Sequence, residues 1–477
     1  MFNDSKTFVD MKMKKTVFET VGNFHTLMTQ YEDEPSREVL ESFVRDHFEA
    51  ESELEDWFPP DFNPEPRFLK KLKTPKLKIS RRGGRFREVY YWDTYWIING
   101  LLISEMYETA KGMIDNFIYM VKIYGFVPNG GRIYYAQRSQ PPLLTPMAAN
   151  YIRYTNDLKW LEKNIIYLKR EIKFWRRKRI ISVEKYDQEY QLAYYAVEGY
   201  GPRPESYHED VDLTTHLDTE KEKEEIFSNI KSAVQSGWDF SSRWIYDDKG
   251  DSRANLSFTQ AKYIVPVDLN SFLHKAYMSM SYLYGKLGNH ERRVYWSQKA
   301  QELHVAIKEI LWNEEDNMWY DFNLKLKEHR RKYYASNVTP LWTGAYHASE
   351  GRKYGKMVSD YLKRHGILDY KGGIPTSLEY SGQQWDFPNA WPPLQAIVVQ
   401  GLENSGHPEA KALARELSRR WVTANLQGFK ETGEMFEKYN SVEVGKYGAG
   451  GEYTTQTGFG WTNGVNLEFI VTYFSAY

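Results

Sequence analysis

The sequence predicts an all-α fold, organised as one large domain of paired helices with its unusual loops gathered at one end. The first observation is that long segments carry apolar residues at every third or fourth position, the period of an amphipathic helix. The second is that alternating apolar and polar runs, which are typical of strands, are scarce. The third is that Gly and Pro are spread through the 477 residues with no low-complexity tract, so we expect a single domain over 1–477.

The individual helices follow from periodicity and from their end signals. The clearest is predicted from Leu101 to Tyr124, before Gly125. A second is predicted after the candidate caps Asn156 and Asp157, and its basic run at 176–179 suits a helix C-terminus. Further helices are predicted at about 36–50, 215–235, 269–286, 291–312, 353–365, 390–403, 408–424 and 464–475.

Composition and charge exclude several functional classes. An apolar fraction of 41% with 27% charged residues is that of a globular protein. The 63 basic and 64 acidic side chains leave a net charge of −1, which creates no overall field to attract a polyanion, so we expect no nucleic-acid partner. The absence of cysteine excludes disulfides, thiolate zinc sites, iron–sulfur clusters and thiol catalysis.

Sequence motifs for nucleotide, metal and serine-triad chemistry are missing. The chain contains no G-x-x-x-x-G-K-[ST] phosphate loop, no G-x-G-x-x-G turn, no G-x-S-x-G elbow and no H-E-x-x-H helix. The eleven histidines are scattered, so we expect no cofactor and no metal site. The N-terminal segment lacks the apolar core of a secretory signal, and no apolar stretch is long enough to span a bilayer.

Three tryptophan–aspartate pairs stand in loops rich in Gly, Asn and Arg: Trp92-Asp93, Trp238-Asp239 and Trp385-Asp386. Sugars present flat apolar faces edged by hydroxyls, so a sugar site uses aromatic rings bordered by polar groups. Glycoside hydrolysis also needs one protonated and one ionised carboxyl group. A ring such as Trp238 would raise the pKa of Asp239 by desolvation, as a general acid requires. The loops therefore favour a carbohydrate-active enzyme.

Two long segments carry a family resemblance. GGRFREVYYWDTYW at 83–96 and QWDFPNAW at 384–391 closely resemble the two signatures of the trehalases, glycoside hydrolase family 37. Further segments match other blocks of that family in the expected order: NGGR at 129–132, QRSQPP at 137–142, RPE at 203–205, SGWDFSSRW at 236–244, GGEY at 450–453 and GFGWTNG at 458–464.

The resemblance implies both a fold and a reaction. Trehalases fold as an (α/α)6 toroid, a six-hairpin glycosidase fold, and residues 1–80 would then form an N-terminal extension packing on the toroid. They hydrolyse α,α-trehalose to two glucoses with inversion at one anomeric carbon. The aspartate of the family's G-W-D-F-S-S-R-W block, its general acid, is Asp239 here. The glutamate that begins an E-K-Y element fifteen residues before the glutamate of G-G-E-Y, its general base, is Glu437.

The resemblance also implies a substrate site without a cofactor. Its ligand would be a small molecule, trehalose, and no obligate protein partner is evident. Arginine forks would bind several hydroxyls at once and orient the catalytic carboxylates. The family's substrate-binding positions match Arg85, Trp92, Asp93, Asn129, Arg138, Ser139, Gln140, Arg203, Glu205, Gly237 and Glu452.

The chain departs from the family pattern in a few places. Arg82 stands where proline is usual, and Gln235 stands where glutamate is usual. Lys446 and Tyr447 interrupt a glycine tract, so we expect the segment 441–451 to form a stiffer lid over Glu452. Family members usually carry more chain before the first segment resembled here, often with a signal peptide, so the sequence assigns no compartment.

Two alternative functions compete with trehalose hydrolysis. One is another (α/α)6 glycoside hydrolase, glucoamylase-like or acting on trehalose phosphate, whose pocket would differ at the arginines. The two long signatures argue against it. The other is a sugar-binding protein without activity, and the presence of both Asp239 and Glu437 argues against that function.

Overall fold

The fold is taken from a computed structural model, which describes residues 2, 4–49, 59–63, 66–67, 85–86 and 88–474. The glycine pair at 83–84, Arg82, and the basic segment 70–87 apart from residues 85–86 lie outside the described residues. The described helices are α1 (Ser5–Val9), α2 (Val17–Gln30), α3 (Arg37–His47), α4 (Thr94–Ile103), α5 (Tyr107–Tyr124), α6 (Leu144–Thr155), α7 (Leu158–Lys178), α8 (Tyr207–Asp212), α9 (Glu220–Gln235), α10 (Val267–Lys286), α11 (His290–Ala306), α12 (Thr339–Thr343), α13 (Gly351–Arg364), α14 (Pro392–Asn404), α15 (Pro408–Thr432) and α16 (Gly460–Phe469).

Strands are short and pair antiparallel in small ribbons. The longest ribbon is a hairpin of two six-residue strands, and the others are two residues long. They are β1 (Lys12–Met13), β2 (Phe48–Glu49), β3 (Ile180–Lys185), β4 (Gln188–Ala193), β5 (Ile264–Val265), β6 (Trp312–Asn313), β7 (Met318–Trp319), β8 (Phe322–Asn323), β9 (Glu328–His329), β10 (Asn389–Ala390) and β11 (Tyr439–Asn440).

The chain divides into two compact units, 1–58 with 200–227 and 59–199 with 228–477. The first unit contains α1, α2, α3 and α8. Its helix α2 begins with a capping box, in which Thr16 and Glu19 satisfy each other's backbone N–H groups. The predicted single domain with an extension over 1–80 stays a prediction, and part of that extension lies outside the described residues.

The second unit is built on a closed ring of six helices. Helix α4 packs against α6, α6 against α10, α10 against α12, α12 against α14, α14 against α16, and α16 against α4. Five further helices, α5, α7, α11, α13 and α15, each pack on members of this ring. Inner helix α10 is buried along most of its length, as expected for a helix covered on all sides. This arrangement is the predicted (α/α)6 toroid, and the fold class is confirmed.

The ring closes where α4 meets α16 without intervening side chains. A Cβ on Gly100 would lie 2.9 Å from the Cα of Gly464. A Cβ on Gly464 would overlap the backbone oxygen of Trp96. Only glycine permits this approach, so the two backbones pack directly against each other.

Long connections enter the inner helices and short ones leave them. Three residues separate α4 from α5, two separate α6 from α7, and three separate α10 from α11. Because successive paired helices reverse direction, the residues that lead directly into α4, α6, α10, α14 and α16 lie at one end of the ring. These connections contain nearly all of the residues predicted for the site.

Several helix predictions need correction. The helix predicted from Leu101 to Tyr124 is two helices, because Glu105 adopts a left-handed conformation (φ 64°) that a continuous helix does not allow. Helices α2, α4 and α6 were not predicted separately. The helix after Asp157 is confirmed, with its cap accepting from the N–H of Trp160, and Asn156 instead ends α6 with φ 53°. Among the described helices, none is long and apolar enough to cross a membrane.

Candidate active site

The loop that carries Asp239 is fixed by a buried carboxylate on another loop. Asp386 is fully buried and accepts hydrogen bonds from the hydroxyls of Ser241, Ser242 and Ser377 at 2.8–2.9 Å. It also accepts from the backbone N–H of Ser242 at 2.6 Å. Burial raises the pKa of Asp386 to about 6, and the hydrogen bonds act in the opposite direction. Asp386 therefore holds the loop of Asp239 in place.

The turn before Asp239 requires glycine for two reasons. Gly237 has φ 77°, and a Cβ there would lie 2.6–2.9 Å from the indole ring of Trp92. The backbone N–H of Trp92 donates to Gln140 Oε1 at 3.2 Å, which fixes the residue from a third loop. The absence of a side chain at Gly237 thus lets Trp92 lie directly against the loop that carries Asp239.

We expect Gly237→Ala to destabilise the protein and to lower its activity, because the new Cβ adds a clash with Trp92 to the strain of a positive φ. Gly382→Ala is the matched control, since Gly382 has φ 82° with nothing within 4 Å of a Cβ. The control should lose about 1–2 kcal/mol of unfolding free energy, and Gly237→Ala should lose more. Urea unfolding measures both, and equal losses would contradict the clash.

Asp239 lies at the centre of a group of charged side chains. Its side chain is half-buried, and its backbone carbonyl accepts a hydrogen bond from Gln384 Nε2. Burial raises the pKa values of Asp93 and Tyr453, and the charge of Asp239 adds to both rises. Burial lowers the pKa of Lys438, and the charges of Glu437 and Asp239 oppose that effect. Asp239 is therefore held through its own backbone and lies close enough to other ionisable groups to affect their charge states.

Glu437 is almost fully buried and well supported. Its Oε1 accepts from the hydroxyl of Tyr453 at 2.7 Å, and its Oε2 accepts from the backbone N–H of Gln456 at 3.1 Å. Lys438 Nζ lies 4.0 Å from Oε2. Burial raises the pKa of Glu437, and Lys438, Tyr453, Gln456 and Arg85 all act to lower it.

Two backbone contacts fix the loop of Glu437 against its neighbours. Strand β10 pairs with β11, so Ala390 lies opposite Tyr439, two residues after Glu437. The indole N–H of Trp461 donates to the carbonyl oxygen of Glu437 at 3.0 Å. The loops before α14 and α16 are therefore joined around the carboxylate.

Asp93 adds a third carboxyl group to the site. It is half-buried and begins α4 without a capping hydrogen bond from its side chain. Burial raises its pKa to about 8, and the charges of Glu437 and Asp239 contribute to the rise. At neutral pH Asp93 is therefore mostly protonated and can donate a hydrogen bond.

We expect Asp93→Asn to flatten the pH dependence of stability. Below about pH 4 the carboxyl is protonated in both folded and unfolded chains. As pH rises towards 8, it ionises first in the unfolded chain, so the unfolding free energy of the wild type falls. Urea unfolding at pH 5 and pH 9 should show the variant gaining stability relative to the wild type at the higher pH. Asp248→Asn, at an exposed position, is the control. If the unfolding free energy of Asp93→Asn relative to wild type is the same at pH 5 and pH 9, the prediction is contradicted.

The tryptophans of the acid-bearing loops pack on one another. Trp385 stacks on Trp391 at 3.9 Å and on Trp238 at 5.3 Å between ring centroids. Trp92 lies against Trp385 at 5.7 Å and Trp461 meets Trp391 edge-on at 5.6 Å, and these two outer rings are 6.1 Å apart between centroids. All five rings are at most 3% exposed. They form one buried aromatic cluster that joins the loops bearing Asp93, Asp239 and Asp386.

The predicted binding residues of the loop before α6 form one hydrogen-bonded set. Arg138 Nε donates to Asn129 Oδ1 at 2.8 Å, and both side chains are buried. The hydroxyl of Ser139 donates to the carbonyl oxygen of Val127 at 2.6 Å. Gln140 supports Trp92 because its side-chain oxygen accepts from the backbone N–H of Trp92. Ser139 and Gln140 therefore shape the loop, while Asn129 and Arg138 present a paired amide and guanidinium.

Arg85 and Glu452 also lie in the second unit. The backbone N–H of Arg85 donates to Gln456 Oε1 at 2.8 Å, and its guanidinium lies 5.5 Å from the ring centroid of Tyr453. Glu452 is exposed and lines a cleft of about 660 Å³ formed mainly by residues 447–455. Arg85 thus borders the Glu437 side of the site, and Glu452 lies beside the predicted lid.

Arg203 and Glu205 belong to the first unit. Both are buried. Arg203 donates to Asp210 through its backbone N–H, Nε and Nη2, at 2.7–3.2 Å. Asp210 is fully buried, so this bidentate pair holds the guanidinium in a fixed orientation.

The lid segment 441–451 is well tied to its surroundings. Asn389 accepts from the N–H of Ala449 at 2.9 Å and donates to its carbonyl oxygen at 2.8 Å. Lys446 pairs with Glu431 at 2.8 Å. These contacts support the expected stiffness, which itself stays a prediction.

Four supporting residues were missed by sequence reasoning: Gln384, Lys438, Tyr453 and Gln456. Each lies in or beside a segment quoted for the resemblance. For Lys438 and Tyr453 the available signal was their position next to Glu437 and Glu452, and Gln384 and Gln456 carried no such signal. Among the described residues, no group of three or more His, Asp and Glu is arranged to hold a metal ion.

The chain is similar in sequence to known trehalases and in fold to solved glycosidase structures. A family model described as Trehalase matches residues 1–82 and 81–474. The trehalase of Tenebrio molitor is 44% identical over 100% of this chain and 92% of its own length, and the human trehalase is 40% identical over 99% and 87%. Among solved structures, the neutral trehalase Nth1 from Saccharomyces cerevisiae matches with a TM-score of 0.64 at 24% identity, covering 82% of this chain and 72% of that chain. A GH63 mannosylglycerate hydrolase from Thermus thermophilus shares the fold, with a TM-score of 0.53 at 14% identity over 80% of this chain and 92% of that chain.

Proposed function

This chain belongs to the trehalase family of glycoside hydrolases, and from that premise we propose that it hydrolyses α,α-trehalose to two glucoses with inversion. Asp239 acts as the general acid and Glu437 as the general base. The observation that carries the proposal is the convergence of Asp93, Asp239 and Glu437 in one site, where the charges of Asp239 and Glu437 both act on Asp93 and both act on Lys438 and Tyr453. Convergent carboxyls of different protonation state are what glycoside hydrolysis requires.

The base needs to be ionised in a buried position. Tyr453 and the backbone N–H of Gln456 each donate to one of the two oxygens of Glu437, and Lys438 supplies a nearby positive charge. These contacts oppose the rise in pKa that burial causes. Glu437 can therefore accept a proton from a water that attacks the anomeric carbon.

The acid needs to approach the glycosidic oxygen from the other side of the sugar. Asp239 is held by the cluster around Asp386 and by the donation from Gln384 to its carbonyl oxygen. Proton donation to the glycosidic oxygen lets one glucose leave, while water deprotonated by Glu437 adds to the other. One bond to carbon breaks and one forms on the opposite face, so the attacked glucose becomes the β anomer and the leaving glucose keeps its α configuration.

Substrate hydroxyls meet both donors and acceptors. Protonated Asp93 can donate to a hydroxyl, and the paired Asn129 and Arg138 offer an amide and a guanidinium. Arg85 adds a cation near Glu437. With Trp92, Ser139, Gln140, Gly237 and Glu452, these residues form the proposed binding set of the second unit. Arg203 and Glu205 belong to the first unit, and their part in substrate binding stays a prediction.

Proton NMR of freshly formed products tests the proposal. We expect equal initial amounts of α- and β-glucose from trehalose, before mutarotation mixes them. In H₂¹⁸O the label should enter the β anomer alone, because water adds only to the attacked glucose. Initial formation of α-glucose alone would contradict inversion.

Alternative substrates test the specificity. Glucose release from trehalose should greatly exceed release from maltose or trehalose 6-phosphate. Activity on maltose without activity on trehalose would instead favour a glucoamylase-like enzyme.

A further inference from the structure

A lysine and a glutamine lie between the proposed acid and base. Lys438 is fully buried and follows Glu437 in the chain. Its Nζ donates to Gln384 Oε1 at 3.0 Å and lies 4.0 Å from Glu437 Oε2. Gln384 is also buried, and its Nε2 donates to the carbonyl oxygen of Asp239. One continuous path thus runs from the carboxylate of Glu437 to the backbone of Asp239.

We propose that Lys438 and Gln384 are positioning residues that join the base to the acid, Lys438 keeping Glu437 ionised and Gln384 fixing Asp239 through its backbone. This inference rests on the proposed function, because it assumes that Glu437 is the base and Asp239 the acid. It names a bridge of defined chemistry: an ammonium shared by a carboxylate and an amide oxygen, and an amide N–H donated to a carbonyl.

The surroundings of Lys438 favour a fixed cation. Its Nζ lies 4.9 Å from the ring centroid of Trp391 and 5.1 Å from that of Tyr453. Two aromatic faces attract a cation and limit its movement. Burying a lysine is costly unless it is paired, so its contacts with Glu437 and Gln384 account for its charge in this position.

Gln384 is fixed independently of its side chain. Its carbonyl oxygen accepts from the indole N–H of Trp391 at 2.8 Å and from Asn389 Nδ2 at 3.0 Å. In its side-chain amide, the oxygen accepts from Lys438 and the nitrogen donates to the backbone of Asp239. An amide suits this bridge because it offers one acceptor and one donor on opposite sides.

The charge balance at Glu437 makes Lys438 important. The acids near Glu437 are Asp93 and Asp239, and the cations are Lys438 and Arg85, with Tyr453 as a neutral donor. Lys438 is the leading cause that opposes the effect of burial on the pKa of Glu437. Among the described residues, removal of Lys438 would leave a buried carboxylate facing two other carboxyl groups, with Arg85 as the cation still beside it.

The pH profile of kcat/KM distinguishes this role from a structural one. The acidic limb reports the pKa of the free enzyme's essential base. Lys438→Met should move that limb upward by about one pH unit or more, which corresponds to a tenfold or greater loss of activity on the acidic side. Lys438→Arg keeps the charge, so it should return the limb towards its wild-type position even where kcat stays low. A uniform loss at all pH values, with the limb unmoved, would overturn the proposal.

Lys275→Met is the matched control. Lys275 is a half-buried lysine on α10 whose Nζ lies 4.1 Å from the ring centroid of Trp342. It has an aromatic contact like that of Lys438 but no contact with Glu437. Its substitution should leave the limb where it is, and an equal shift would show that loss of any buried lysine produces the effect.

Variants of Gln384 keep the proposal testable should Lys438→Met fail to fold. Gln384→Glu adds a carboxylate that competes for Lys438, so the acidic limb should move upward. Gln384→Met leaves the charge on Lys438, so the limb should stay while kcat falls at least tenfold. Absence of a shift in Gln384→Glu would overturn the role of Lys438, and unchanged kcat in Gln384→Met would overturn the role of Gln384.

Failure of the inference and failure of the proposed function give different results. If the Glu437→Gln variant is active, Glu437 is not the base, and the proposed function fails together with the inference. If Glu437→Gln is inactive but the acidic limb does not move in Lys438→Met and Gln384→Glu, the proposed function stands and the proposed role of the Lys438–Gln384 bridge is wrong.

Discussion

Replacement of Glu437 by glutamine is expected to lower kcat on trehalose by roughly 100- to 10,000-fold. The amide cannot accept a proton from the attacking water, while its oxygen can still accept from Tyr453 or from the N–H of Gln456. The fold should therefore persist. Steady-state kinetics measures the loss, and far-UV circular dichroism checks the helical content.

Azide separates a missing base from a damaged site. Glu437→Ala leaves space near the anomeric carbon, and azide attacks without needing deprotonation. We expect added azide to restore turnover in this variant and to give β-glucosyl azide. Glu443→Gln, an exposed glutamate in the lid segment, is the control and should keep full activity. Near-wild-type activity of Glu437→Gln would show that another group is the base.

Replacement of Asp239 by asparagine is expected to reduce trehalose hydrolysis by a similar factor, because the leaving glucose then departs without a proton. The backbone contact from Gln384 does not involve the side chain, so the loop should keep its position. The loss should depend on the leaving group. α-Glucosyl fluoride needs little protonation, so its hydrolysis by Asp239→Asn should be much closer to that of the wild type.

The same substrate distinguishes the acid from the base. Glu437→Gln should be poorly active on both trehalose and α-glucosyl fluoride, since both need an activated water. Asp248→Asn, at an exposed position further along the segment that follows Asp239, is the control for general effects on that region. An equal loss on both substrates in Asp239→Asn would contradict its role as the acid.

The sequence predicted the fold class and the helices with strong periodicity, and its limits have physical reasons. Helix α7 was predicted with its cap and its basic C-terminal run because local signals dominate there. The break between α4 and α5 was missed because apolar periodicity continues across it, and only the positive φ of Glu105 separates the two helices. Helix α12 is too short for a periodic pattern to develop.

For the site, the resemblance led to the carboxyls, but the supporting contacts could not be predicted from sequence. Asp386, like Asp93 and Asp239, directly follows a tryptophan in the sequence. Its hydrogen bonds, however, come from serines about 145 residues away and from a serine in its own loop. Asp386 is fully buried, whereas Asp93 and Asp239 are half-buried. This difference depends on the tertiary fold, so it could not be predicted from the three similar sequence motifs. The role of Lys438 likewise depends on a contact with Gln384, which lies 54 residues earlier in the chain.

The direct packing of α4 on α16 has a consequence for biosynthesis. The two helices begin 366 residues apart, at positions 94 and 460. At about 5–20 residues per second, a ribosome needs roughly 20–70 s to cover that interval. Throughout it the nascent chain holds an incomplete ring whose apolar inner faces lack their last neighbour. We therefore expect chaperones to bind the chain during translation, and enzymatic activity to begin only after α16 has left the ribosome.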